Sequence, residues 1–258
     1  MKNTALITGA TSGIGKELAK IHSSKGGDLI IVARREDELN KLKTQLENEY
    51  KVKVDVIVAD LMVQGAGSKV FQEIQDRGLQ VDILMNNAGL GGYGCFHERS
   101  LQKELEMIQL NIVALVELTH CLLPKMIKNG GGKILNTSST AGFLPGPLQT
   151  TYYATKAFVN SFSNGLDQEV RRHGITVTAL CPGPVKTGFE TAAGMGGSGL
   201  FNNAASASST ALKGYNAMLK GRLIVITNGQ LKFFINFLIP IMPRRIVLKM
   251  IEKLQTVN

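Results

Sequence analysis

The chain has 258 residues, 44% of them hydrophobic and 19% charged, with a formal net charge of +9. A chain of this size buries most of its apolar surface and needs no disulfide or metal staple. Its three cysteines, Cys95, Cys121 and Cys181, are odd in number and widely spaced, which argues against a disulfide framework and fits a reducing compartment, expected to be the cytoplasm.

The charge is unevenly placed. From Lys213 onward there are eight Lys/Arg and one acid, Glu252, a net +7, which leaves +2 for the rest. That distribution does not describe a nucleic-acid face. After Met1-Lys2-Asn3 an apolar run starts at once, so no secretory leader is expected. No stretch is expected to reach the ~20 apolar residues of a membrane span. The nearest, 231–242, is broken by Lys232, Asn236 and Pro240.

Short runs rich in Ile, Val and Leu alternate with longer mixed segments. The runs cover 4–10, 28–34, 53–60, 81–89, 132–139 and 175–183. They are apolar throughout rather than alternating, as strands buried on both faces are. Between them lie segments of helix length: 16–26, 35–50, the long stretch 100–130, and 151–174, which ends in basic residues and Gly174. This alternation predicts an α/β fold, a doubly wound parallel sheet of Rossmann type. We expect one domain, with a cofactor and catalytic core at 4–187 and a substrate lid and tail at 188–258.

"TGATSGIG" (Thr8–Gly15) follows the first strand and opens the first helix. Its glycines let the backbone approach a ligand, and the N–H groups at the helix start attract a pyrophosphate. Gly9, Thr11, Ser12, Gly13, Ile14 and Gly15 are the candidate contacts. The second strand ends at Ala33 with Arg34 and Arg35 directly after it, and Asp37 falls later, in the helix. An arginine at this place accommodates the 2′-phosphate of NADP, whereas an acid would bond the ribose of NAD. The cofactor read from these residues is NADP(H).

Residues 188–212 are rich in Gly, Ala and Ser and poor in core residues, and are read as a mobile lid or a surface loop. Within and beyond them, Met195 and Met218 are candidates to touch an apolar substrate. The tail combines its cations with Phe233, Phe234, Phe237, Leu238, Ile239 and Ile241. Such an amphipathic segment covers a pocket, joins a subunit interface or lies on an acidic membrane surface; the first two are preferred. His22, His97, His120 and His173 are scattered, with no spacing that builds a metal site. Met85, Met107, Met126 and Cys181 are read as core.

In "TTYYATKAF" (150–158), Lys156 shares a helix face with Tyr152, four residues away, and with Tyr153, three away. Spacing does not choose between them. A phenol titrates near pH 10 in water, and a fixed ammonium nearby lowers that value. Such a tyrosine can donate a proton to a carbonyl oxygen or take one from an alcohol. Ser138 and Ser139, at the end of the fifth strand, could hold the same oxygen.

"TGATSGIG", "NNAG" (86–89), Asn111, Ser138-Ser139, "YYATK" and "CPGPVKT" (181–187) stand in the order found in the short-chain dehydrogenase/reductases. The chain resembles that family over about residues 4–190. The family's Tyr-x-x-x-Lys pattern implies that Tyr152 is the acid/base and Tyr153 its packing neighbour. Its serine, thirteen residues earlier, falls on Ser139, with Ser138 structural. Asn111 matches the asparagine of the family's proton relay. Lys156 is implied to lower the Tyr152 pKa and to grip the nicotinamide ribose. Asp60, with Leu61 beside it, matches an adenine-contacting acid. Asn86, Asn87 and Gly89 line the cofactor or brace the central strands. Pro182, Gly183, Val185 and Thr187 match the segment facing the nicotinamide.

The resemblance therefore implies an NADPH-dependent carbonyl reductase or alcohol dehydrogenase acting on a small, apolar molecule. It also implies a homodimer or homotetramer that pairs the helices near 101–128 and 152–172. The alternative from another class is a non-catalytic NADPH-binding regulator or scaffold.

Overall fold

The computed structural model describes residues 3–195, 201 and 203–256. The six expected strands form β1 (Thr4–Thr8), β2 (Asp28–Ala33), β3 (Val54–Val58), β4 (Ile83–Asn86), β5 (Gly132–Thr137) and β6 (Ile175–Cys181). Two short strands, β7 (Val185–Lys186) and β8 (Ala205–Ser206), pair only with each other, and β9 (Ile224–Ile226) pairs with β6. The sheet is wholly parallel and runs β3-β2-β1-β4-β5-β6-β9.

The helices are α1 (Gly13–Ser24), α2 (Glu36–Tyr50), α3 (Ala66–Asp76), α4 (Leu101–Ile108), α5 (Ala114–Lys128), α6 (Thr150–Val170), α7 (Phe189–Ala192), α8 (Ala207–Leu219), α9 (Gly229–Phe233) and α10 (Arg244–Gln255). They cover both faces. Successive strand residues serve opposite layers, as a pleated strand requires. Ala5, Ile7, Leu29 and Ile31 pack with α1, α2 and α8. Leu6, Ile30 and Val32 pack with α3 and α5. The unbroken apolar runs follow from this two-sided burial.

The strand order reverses between β1 and its two neighbours, β2 and β4. In open parallel sheets a ligand crevice forms at such a switch, outside the carboxyl ends of the strands. The loops after β1 and β4 therefore frame the site.

Three features differ from expectation. The run Ile224–Ile226 is a seventh strand of the sheet, not amphipathic tail. The Ala/Ser-rich stretch ends in core: α8, capped at Ser206 by a bond from the Ser209 N–H, buries Thr210, Ala211, Gly214, Tyr215, Ala217 and Met218. Its small residues are what let it approach the sheet. A Cβ on Gly214 would lie 2.7 Å from the Leu180 side chain. Met218 thus belongs to the core under the sheet, not to a substrate wall. Residues 196–200 and 202 of the expected lid lie outside the described residues.

The third is Leu101–Lys128, one helical stretch of 28 residues whose most apolar 18-residue window has a mean hydropathy of 1.5, enough by length and composition to cross a membrane. The expectation counted unbroken apolar runs and missed it. Its Leu115, Leu118, Leu122 and Met126 are buried. All but Leu115 belong to the core cluster on one side of the sheet, as in the core helix of a folded domain.

Candidate active site

The glycine turn is shaped by close approach. Gly9 has φ 67° and Gly13 φ 53°, a region open to glycine but costly for other residues. A Cβ on Gly9 would lie 2.9 Å from the Ala88 Cα, and one on Gly13 2.9 Å from the Thr187 methyl. One on Gly15 would collide with the Gly9 carbonyl and the Asn87 amide. Three separate segments, 9–15, 87–89 and 187, therefore meet in one cradle at the amino end of α1. Ser12 is the cap residue of α1, extended at φ −152°. Ile14 packs on the core beneath.

The loop after β4 is tied to β1. The Asn87 and Ala88 N–H groups each donate to Thr8 Oγ1 at 3.0 Å, and Asn87 Nδ2 donates to the Thr8 carbonyl at 3.1 Å. Asn86 is turned into the sheet. Its Nδ2 donates to Thr119 Oγ1 and to Asn136 Oδ1, at 3.0 and 2.9 Å, and Asn136 in turn donates to Ser163. These bonds serve the bracing role.

At the adjoining strand ends, Arg35 donates to Thr11 Oγ1 at 3.2 Å, and Arg34 stands 3.9 Å from the Asp60 carboxylate. Asp60 also accepts from the Met62 N–H, and Leu61 is buried beside it. The two arginines thus stand between the glycine turn and the β3 loop. Asp37 lies in the first turn of α2.

The candidate reacting groups converge from three elements: the turn around Asn111, the end of β5 at Ser139, and α6, which carries Tyr152 and Lys156. Asn111 sits in a π-helical turn, Gln109–Val113, that joins α4 to α5. Single π-helical turns inside a helix are frequent at functional sites. Asn111 exchanges two bonds with the Leu90 backbone, both at 2.9 Å, and donates to Thr155 Oγ1 at 3.0 Å. A Cβ on Gly89 would lie 3.4 Å from both Asn111 Oδ1 and Lys156 Nζ, so these three residues adjoin.

Lys156 Nζ donates to the Thr137 carbonyl at 2.9 Å and lies 5.7 Å from the Tyr152 ring centre. Ser138 is structural: its hydroxyl donates to the Lys156 carbonyl at 3.0 Å. Ser139 Oγ accepts from the Ala141 N–H, reaches the Pro182 carbonyl at 3.4 Å and hydrogen-bonds Tyr152. Pro182 also accepts from the Thr140 N–H, Val185 is buried on β7, and Gly183 packs on Leu231.

The two tyrosines part company here. The Tyr153 hydroxyl accepts from Gln255 Nε2 at 2.6 Å, and its ring lies against Gly146. It is a docking point for α10. Tyr152 instead joins Ser139 and packs on the Phe189 ring, 5.4 Å between centres.

One electrostatic expectation changes sign. Burial pushes the Tyr152 phenol up to about 12, against a smaller downward pull from Ser139. Burial also pulls Lys156 down to about 8. The ammonium is bonded to a carbonyl rather than to the phenol, so desolvation outweighs its attraction.

The described residues also show partners that sequence reasoning missed. Phe189 covers Tyr152 and Gly91. Thr155 bridges Asn111 to the Tyr152 carbonyl, which accepts from Thr155 Oγ1 at 2.7 Å. An aromatic just after "PVKTG" was a usable signal for Phe189; nothing local marked Thr155.

A glycine cradle at a helix amino end stands beside a Ser–Tyr–Lys cluster at the carboxyl ends of a parallel sheet, the arrangement of a dinucleotide-binding fold with a candidate acid/base cluster. The short chain dehydrogenase family model matches residues 3–195, and the chain belongs to that family. The very-long-chain 3-oxoacyl-CoA reductase of Anas platyrhynchos is 36% identical over 189 residues, 71% of this chain and 60% of the relative. The chain thus spans about 60% of that relative's length. A short-chain dehydrogenase from Sphingobium yanoikuyae, solved in complex with NADPH, superposes with a TM-score of 0.83 at 31% identity over 90% of each chain. A bulky-bulky ketone specific alcohol dehydrogenase from Comamonas testosteroni gives 0.77 at 32% identity, covering 87% of this chain and 85% of its own.

Proposed function

We propose that the chain is an NADPH-dependent oxidoreductase that reduces a ketone or aldehyde, or oxidises the matching secondary alcohol, on an apolar substrate. The carrying observation is the meeting of Ser139, Tyr152 and Lys156 beside the cradle of Gly9, Gly13 and Gly15.

The residues present fit the cofactor, since a Cβ would fill the cradle at all three glycines. The α1 amino end would take its pyrophosphate. Arg34 and Arg35 would take a 2′-phosphate, a pairing that guanidinium geometry favours. The bound nicotinamide supplies or accepts the hydride.

The protein's part is proton management. Tyr152, held as a neutral phenol by burial, is in the form that donates a proton. Its O–H would be directed at the substrate oxygen, and Ser139 Oγ would hold the same oxygen. Phe189 and Leu231 give the site an apolar wall. The names of the relatives support a carbonyl substrate: one is a 3-oxoacyl-CoA reductase and another a ketone-specific alcohol dehydrogenase.

The test is a titration of the chain with NADPH and NADH, followed by nicotinamide fluorescence. NADPH should bind at least about tenfold more tightly, and Arg34→Ala should remove most of that margin. Equal binding of NADH would refute the phosphate assignment.

A further inference from the structure

We propose that the segment from α9 to α10 docks the enzyme onto an anionic lipid bilayer, with the exposed side chains of Phe233, Phe237, Leu238 and Ile241 entering the headgroup region.

The first observation is exposure. Phe233, Phe237 and Ile241 are 57%, 63% and 78% exposed, and the two rings pack on each other at 5.2 Å. Large apolar groups clustered on one stretch mark an interaction surface more often than singly scattered ones do.

The second is charge. Lys232, Arg244, Arg245 and Lys249 flank that stretch, and none has an ion-pair partner among the described residues. Of the other cations, Lys20, Lys41, Lys43, Lys53, Arg77, Arg99 and Arg171 each face a carboxylate, and Lys16, Lys51, Lys69 and Lys103 do not among the described residues. What sets Lys232, Arg244, Arg245 and Lys249 apart is therefore their place around exposed apolar side chains. Unpaired cations around apolar side chains complement a surface that is anionic and apolar within.

The third is rigidity. Ile235, Val247, Ile251 and Gln255 are buried, and Gln255 is bonded to both Tyr153 and Gln149. The outer side chains are therefore presented by an anchored segment.

The same charge disfavours a second copy as the occupant. Residues 229–258 hold five Lys/Arg and one acid, so two such faces would meet cation to cation. Position adds a consequence. Leu231, at the start of the segment, packs on Gly183 beside the catalytic cluster. A docked enzyme would hold its site close to the bilayer, where an apolar carbonyl compound dissolves.

The experiment is co-sedimentation of the full chain with vesicles of phosphatidylcholine, alone or with about 30% phosphatidylglycerol, at low and high salt. Binding is expected only to the anionic vesicles and should weaken as salt rises. Arg244→Gln with Arg245→Gln should lower the partition coefficient by about 25-fold, since each cation contributes about fivefold. Phe237→Ser with Ile241→Ser should lower it at least about tenfold.

The chain has no tryptophan, so Phe237→Trp supplies a single reporter. The emission of that variant should shift to the blue on anionic vesicles. The proposal fails if the wild type stays in the supernatant at low salt, or if the serine pair binds as well as wild type. It also fails if the indole emission of the Phe237→Trp variant does not move, or if the serine pair instead dissolves an oligomer that ignores vesicles. Each readout is independent of NADPH binding and of turnover.

Discussion

Two adjacent tyrosines with one hydroxyl each do different work, and a pair of single-atom changes separates them. Tyr152→Phe removes the O–H that faces Ser139 and keeps the ring on Phe189. Turnover should fall by about three orders of magnitude, in the range of a lost general acid, while the fluorescence change on NADPH binding stays as in wild type. Tyr153→Phe removes only the bond from Gln255. It should cost roughly 1 kcal/mol in a thermal melt and leave turnover nearly intact. Equal activity losses in the two variants would reverse the assignment. At this scale the sequence was informative but incomplete. Helix spacing left both tyrosines open, and the family pattern pointed to Tyr152. What separates them physically is a contact far along the chain, Gln255, which no local pattern reveals. The pKa directions were likewise hidden, because desolvation depends on the packing around Lys156 and not on its distance along the helix.

At the scale of elements, six strands and the main helices could be read from apolar runs and their spacing, because two-sided burial leaves a strong signal. The parts misread were short or small: β9 has three residues, and α8 packs through Gly214, Ala211 and Ala217 rather than through large side chains. That helix is also held by a buried histidine. His22 on α1 has Nε2 3.0 Å from the Asn3 carbonyl and Nδ1 2.9 Å from the Tyr215 hydroxyl on α8. A carbonyl only accepts, so Nε2 carries the proton and Nδ1 accepts from tyrosine. Protonation would place two donors on the ring and break that pattern. Burial lowers the His22 pKa below 6.5, against upward pulls from the Asn3 and Asp28 backbone and from the Asp28 and Asp82 charges. On acidification the unfolded chain takes this proton first, near pH 6.5. The stability due to neutral His22 is therefore complete above that pH and is lost as pH falls below it. Thermal melts from pH 7 to 5 should show a decline that His22→Asn flattens. An identical slope in the variant would remove His22 from the account.

At the scale of the whole molecule, two of the apolar areas left open among the described residues have different charges around them, and those charges assign different partners. One is the 233–241 segment, with cations of a single sign. The other lies on α4 and α6, where Leu101 and Leu105 are 70% and 51% exposed and Phe158 stacks on Phe162 at 5.8 Å. Here Lys103 and Glu106 stand in the same turn or two of helix, so both signs are present. A surface of mixed sign can complement its own copy across a twofold axis, where each residue meets its counterpart's neighbour. The long apolar stretch from Leu101 to Lys128 gains a reason on this view: one side packs on the sheet and the other on a second chain. We expect sedimentation equilibrium to give twice or four times the 27.9 kDa of one chain. Leu105→Glu with Phe158→Glu should return it to a single chain, since like charges would then face each other in a desolvated contact. A wild type that sediments as one chain, or a double variant that stays assembled, would move the interface elsewhere. An assembly through α4 and α6 that leaves the 233–241 segments facing one way should bind anionic vesicles more tightly than the dissociated variant: two or more docking segments on one particle bind the same surface together.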